Sequence, residues 1–71
     1  MGRSRLNAQD LQHALARMGM VQEDLAVVLG VRQSQVSRWL SGKTAVPAYV
    51  EAWMGAAHPD VLEWLLENPH D

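Results

Sequence analysis

Only three residues, Gly30-Val31-Arg32, separate two stretches that each carry an apolar face at helical spacing. In "QEDLAVVL", residues 22–29, Leu25, Ala26 and Leu29 share one side. In "QSQVSRWLS", residues 33–41, Val36, Trp39 and Leu40 do. Two helices joined by so short a turn cross at a steep angle. That crossing sets conditions on single positions. Ala26 must be small where the second helix passes close to it. Gly30 must accept a positive φ at the turn. Leu25, Leu29, Val31, Val36 and Trp39 must be apolar to fill the angle. All seven positions comply.

The rest of the chain reads as more helix. Asn7 caps a segment from Ala8 to Met18, and Asp10 stands where the second half of a capping box belongs. Leu11, Ala14, Leu15 and Met18 give it an apolar face, and Gly19 ends it. Gly42 ends the helix of residues 33–41. Pro47 suits the first turn of a fourth helix reaching about Ala57, with Val50, Trp53, Met54 and Ala57 inward. Gly55 inside it costs about 1 kcal/mol relative to alanine. Pro59 opens a fifth helix, "DVLEWLLE", closed by Asn68-Pro69. Its Val61, Leu62, Trp64, Leu65 and Leu66 cover most of its circumference, which predicts contact with a second chain. Strand signals are missing. The expectation is one all-α domain of five short helices over residues 1–71. Residues 1–6 form a flexible basic arm, the steeply joined pair spans about 22–41, and the C-terminal helices span 47–67.

Charge divides the same chain in two. The net charge is −2, yet all six basic side chains precede Thr44, against three acids there, Asp10, Glu23 and Asp24. From Thr44 on there are five acids and no lysine or arginine. Such asymmetry predicts different partners for the two parts, a polyanion for the first. No apolar run approaches the roughly 20 residues of a membrane helix, and the N-terminus lacks an apolar signal region. The absence of cysteine removes disulfides and thiolate metal sites and fits a reducing cytoplasm. His13, His58 and His70 are isolated from other ligands, so neither a metal nor another cofactor is expected. "HPD" at 58–60 and "NPHD" at 68–71 read as helix punctuation. No nucleophile–base pair stands out, and neither enzymatic activity nor a small-molecule ligand is expected.

With Val36, Trp39 and Leu40 turned inward, Gln33, Ser34, Ser37, Arg38 and Ser41 point outward and Gln35 lies toward a flank. These side chains match the donor and acceptor code of the DNA major groove. Glutamine pairs bidentately with adenine, arginine with guanine, and serine with several bases. No acid falls on this face. The alternative is an ordinary solvated helix face, against which the glycine turn weighs. Trp39, Trp53 and Trp64 read as core residues.

"QEDLAVVLGVRQSQVSRWLSGK", residues 22–43, resembles the DNA-binding domains of phage repressors of the lambda Cro/CI type, in the XRE family of helix-turn-helix regulators. "GKT" followed by Pro47, and "LEWLL" near the end, extend the resemblance to about residues 11–67. It implies a lambda repressor-like fold and a dimer on a two-fold symmetric operator, with the helix of residues 33–41 in the major groove. It also implies base reading by Gln33, Ser34, Ser37 and Arg38, with Gln22 bonding a phosphate and bracing Gln33. Lys43 and Thr44 would grip the backbone. Arg32, Gln35, Ser41, Arg17, Arg3 and Arg5 would add phosphate contacts, which position the protein without reading sequence. The dimer surface is expected at Val46, Pro47, His58, Pro59, Val61, Leu62 and Leu66.

Three departures from the family pattern stand out. Val21 and Arg32 stand where capping residues are usual, and neither side chain accepts a bond from a helix N–H. Ala45 and Val46 replace basic residues, which predicts a shallow salt dependence. Two other functions remain: an antitoxin that binds its own promoter and a toxin, favoured by excess apolar surface on the fifth helix, or a protein-binding module on the same scaffold, which would tolerate loss of Arg38 and Gln33.

Overall fold

The computed structural model of the chain describes residues 2–68. It holds five helices, α1 (Ala8–Met18), α2 (Gln22–Leu29), α3 (Gln33–Ser41), α4 (Ala48–Ala57) and α5 (Pro59–Glu67). α2 packs on α3 and α4 on α5, while α1 touches both α3 and α5. The fold is all-α. Its centre is formed by the fully buried Leu11, Leu25, Val36, Val50 and Met54, joined by Leu15, Ala26, Trp39 and Leu65.

The α2–α3 turn closes as its sequence requires. Gly30 has φ 71°. Its N–H donates to the Val27 carbonyl at 3.2 Å, and the Val31 N–H donates to the Ala26 carbonyl at 3.0 Å. This pair of bonds satisfies carbonyls at the helix end and swings the chain into the next helix. Helix starts are less uniform. Asn7 and Asp10 exchange both bonds of a capping box, at 2.8 and 3.0 Å. α2 and α3 have only the returning half. The Asp24 carboxylate accepts the Val21 N–H at 3.0 Å, and Gln35 Oε1 accepts the Arg32 N–H at 3.3 Å. Val21 and Arg32 have no side-chain acceptor to answer with.

Pro47 is not in the first turn of α4 but caps it, with ψ 154°. It is extended there, as a helix N-cap ordinarily is, and pairs with Arg3 in an antiparallel bridge. On α5, Val61 and Leu65 are buried and Leu62 and Trp64 are half-buried; only Leu66, 39% exposed, is a large apolar residue left outside. Most of the surface expected to meet a second chain is therefore taken up by α1 and α4. A Cβ on Gly55 would stand 3.2 Å from Leu62 Cδ2. The glycine that weakens α4 thus lets α5 approach it.

The N-terminal segment departs most from expectation. Residues 2–6 do not extend from the domain as a free arm. The Ser4 N–H donates to the Val46 carbonyl at 2.7 Å and the Ala48 N–H to the Gly2 carbonyl at 3.2 Å. Leu6, 4% exposed, joins the core. The arm is held because one apolar side chain anchors it and its backbone finds partners beside α4. Met1 lies outside the described residues.

Candidate nucleic-acid interface

The face proposed to read bases is built from behind. Val36 and Trp39 are buried and Leu40 is half-buried, which turns Gln33, Ser34, Ser37 and Arg38 to solvent. α3 contains no acid, and the last turn carries Arg38. An exposed surface of donors and acceptors with one cation results.

The end of α3 also positions the following turn. The Arg38 carbonyl accepts the Lys43 N–H at 3.0 Å and the Thr44 N–H at 3.4 Å. Lys43 and Thr44 are both exposed. From α1, Gln12 Nε2 donates to the Leu40 carbonyl at 2.9 Å. That tie between α1 and the end of α3 had no signal in the sequence beyond a polar residue on a helix.

Other candidate phosphate contacts divide by what already occupies them. Gln22 is half-buried at the first position of α2, and no hydrogen bond joins it to Gln33. Gln35 carries the α3 start through its side-chain oxygen. A glutamine at the third helical position is the sequence signal for that role. The Ser41 hydroxyl donates back to the Arg38 carbonyl at 3.2 Å. Arg32 is exposed at the turn, and Arg3 lines a cleft with Asn7, Gly42 and Thr44. Arg17 lies against α5 instead, its guanidinium 4.0 Å from the Trp64 ring centroid.

Arg5 is engaged within the chain. Its Nε and Nη2 donate to Glu51 Oε2 at 2.9 and 2.6 Å, and its backbone N–H donates to Oε1 at 2.8 Å. Ser4 Oγ adds a fourth bond to Oε1 at 2.8 Å. The Glu51 carboxyl is held at a pKa of about 2, first by the Arg5 side-chain bonds and then by the Arg5 N–H; burial opposes them, and Ser4 assists. Sequence reasoning missed Ser4 and Glu51, which are 47 positions apart and share no motif.

The expected dimer residues also divide. Val46 and Val61 are core residues, 2% and 7% exposed, so they present nothing to a second chain. The arm covers Val46, and α5 turns Val61 inward. Pro47, His58 and Leu62 are half-buried, and Pro59 and Leu66 are exposed. His58 meets Trp53 edge-on, with ring centroids 5.4 Å apart. Among the described residues no three His, Asp or Glu side chains are grouped to hold a metal ion. His70 lies outside them. No helix among them is long and apolar enough to cross a membrane.

Comparison with known proteins agrees with this geometry at the level of family. A family model described as helix-turn-helix matches residues 11–48, more than half of the chain. That match spans α1 from Leu11 on, the α2–α3 pair and the turn through Lys43 and Thr44. No curated protein and no solved structure matches the chain.

Proposed function

The chain belongs to the helix-turn-helix family of XRE type, a family of DNA-binding transcription regulators, and we propose that it is a small dimeric repressor of the Cro/CI kind. It binds a pseudo-palindromic operator in double-stranded DNA with α3 in the major groove. One observation carries this reading: Gln33, Ser34, Ser37 and Arg38 form an exposed, acid-free face on a helix whose opposite side is locked by Val36 and Trp39. Arg38 and Gln33 pair bidentately with guanine and adenine, each pair discriminating by about 1–3 kcal/mol. Lys43, Thr44, Arg32 and Gln22 hold the backbone.

The operator's half-sites lie about one helical turn, roughly 34 Å, apart. The dimer surface is drawn from Pro47, His58, Pro59, Leu62 and Leu66. Such a protein works in the cytoplasm of a bacterial or phage-infected cell, where its operator lies. The antitoxin reading rested on spare apolar surface on α5, and there only Leu66 remains prominent.

Selection of bound fragments from random duplex DNA tests the proposal. A symmetric consensus is expected, relaxing at one position with Arg38→Ala and at another with Gln33→Ala. Binding indifferent to sequence, or a consensus unmoved by both substitutions, would refute it.

A further inference from the structure

We propose that Glu51 is a positioning residue for DNA binding: by clasping Ser4 and Arg5 it pins the N-terminal segment across residues 46–48 and so fixes the turn that presents Lys43 and Thr44. The inference rests on the reading that this turn meets a phosphate backbone.

Four hydrogen bonds converge on one carboxylate, which is 18% exposed and sits on the first turn of α4. The two from the guanidinium form a paired, charge-assisted contact, stronger than neutral bonds. Ser4 Oγ also accepts the Leu6 N–H at 2.9 Å, so the clasp sets the arm's backbone as well as its side chains. That backbone supplies the partners of the Val46 carbonyl and the Ala48 N–H. The turn of residues 43–47 is thus anchored at both ends. The Arg38 carbonyl holds its start, and the clasped arm holds its finish. Thr44 and Arg3 line one cleft, so arm and turn form a continuous surface.

Electrostatics and positioning predict opposite signs for the loss of Glu51. A carboxylate beside a DNA-binding turn repels phosphate, so simple field arguments have its removal raise affinity. The clasp has its removal lower affinity, although the chain becomes less negative. Arg5 discriminates too. Acting as a phosphate grip, it contributes with or without Glu51. Acting through the clasp, it loses its effect once Glu51 is gone.

The test uses the full chain and a fluorescent duplex recovered by the random-DNA selection, with affinities for Glu51→Ala, Arg5→Ala and the double variant. Glu51→Ala is expected to weaken binding about three- to tenfold, and the double variant to be no weaker than Glu51→Ala within about twofold, the scatter expected of such a cycle. Equal or tighter binding by Glu51→Ala, or losses that multiply in the double variant, would overturn the proposal. Circular dichroism confirms that each variant is folded; if Glu51→Ala is not, Ser4→Ala, which deletes the hydroxyl's bonds to Glu51 and to the Leu6 N–H, takes its place with the same expected direction. Hydrogen exchange in the unaltered chain supplies a readout without DNA. The Ser4 and Ala48 amides are expected to exchange slowly, and exchange at the unprotected rate would refute the clasp. A chain that binds no duplex but protects those amides would refute the DNA reading and leave the clasp standing.

Discussion

The indole of Trp39 meets the ring of Tyr49 edge-on, with centroids 6.1 Å apart and planes at 74°. The contact joins the last turn of α3 to the first turn of α4, behind the surface proposed to face DNA. Trp39 is 3% exposed, so nearly all of its area is buried. Replacing it with alanine leaves a cavity that a short chain has little material to fill. Trp39→Ala is expected to lose about 3–5 kcal/mol, a large share of the roughly 5–15 kcal/mol that holds a typical domain folded. Thermal unfolding followed by circular dichroism measures it; a melting point within a few degrees of the unaltered protein would show that the indole is not the anchor.

A smaller loss is expected at the turn between α2 and α3. Gly30 has φ 71°, and a Cβ built on it meets no atom within 4 Å. The cost of Gly30→Ala is therefore backbone strain alone, about 1–2 kcal/mol. Gly30→Asn should lose less, because asparagine tolerates the left-handed region better. Urea titration should give a lower midpoint with an unchanged slope. An alanine variant as stable as the original would mean that the turn relaxes to another conformation.

Salt dependence separates charges aimed at DNA from charges used inside the chain. Lys43→Ala should weaken binding to all duplexes alike and reduce the salt slope by about 1. Arg5→Ala should change the slope much less, because the Arg5 guanidinium is paired with Glu51. Affinities measured across a salt series decide this. Equal slope changes for the two variants would return Arg5 to the phosphate contacts.

Legibility followed the range of the interactions. All five helices could be read from the sequence because their signals are local: an asparagine cap, apolar residues three and four apart, and glycines at the ends of α1, α2 and α3. The exposed face of α3 was legible for the same reason, since Val36 and Trp39 fix its rotation. The arm was not. "GRSRL" looks like a charged tail until Leu6 enters a core made by distant helices and Glu51 arrives from α4. The burial of Val46 and Val61 was missed for a related reason: an apolar residue near a turn reads as exposed when the segment that covers it is unknown. On α5, periodicity counted the apolar residues without showing that α1 and α4 both lean on that helix.

Acid should reveal the Arg5–Glu51 pair. The Glu51 carboxyl is lowered from 4.5 to about 2, with the Arg5 side-chain bonds as the largest cause. A carboxyl depressed by folding adds stability that is complete above its unfolded value and disappears as the pH falls through its folded value. The contribution is therefore full above about pH 5 and fades toward pH 2. Arg5 is 67% exposed, so solvent and salt screen the pair and the effect is modest. Glu51→Gln removes the titration while keeping the shape. The difference in melting temperature between the two proteins should be constant at neutral pH and shrink as acid protonates Glu51. A difference that persists unchanged down to pH about 2 would mean that the carboxylate's charge contributes nothing and only its hydrogen-bond geometry matters.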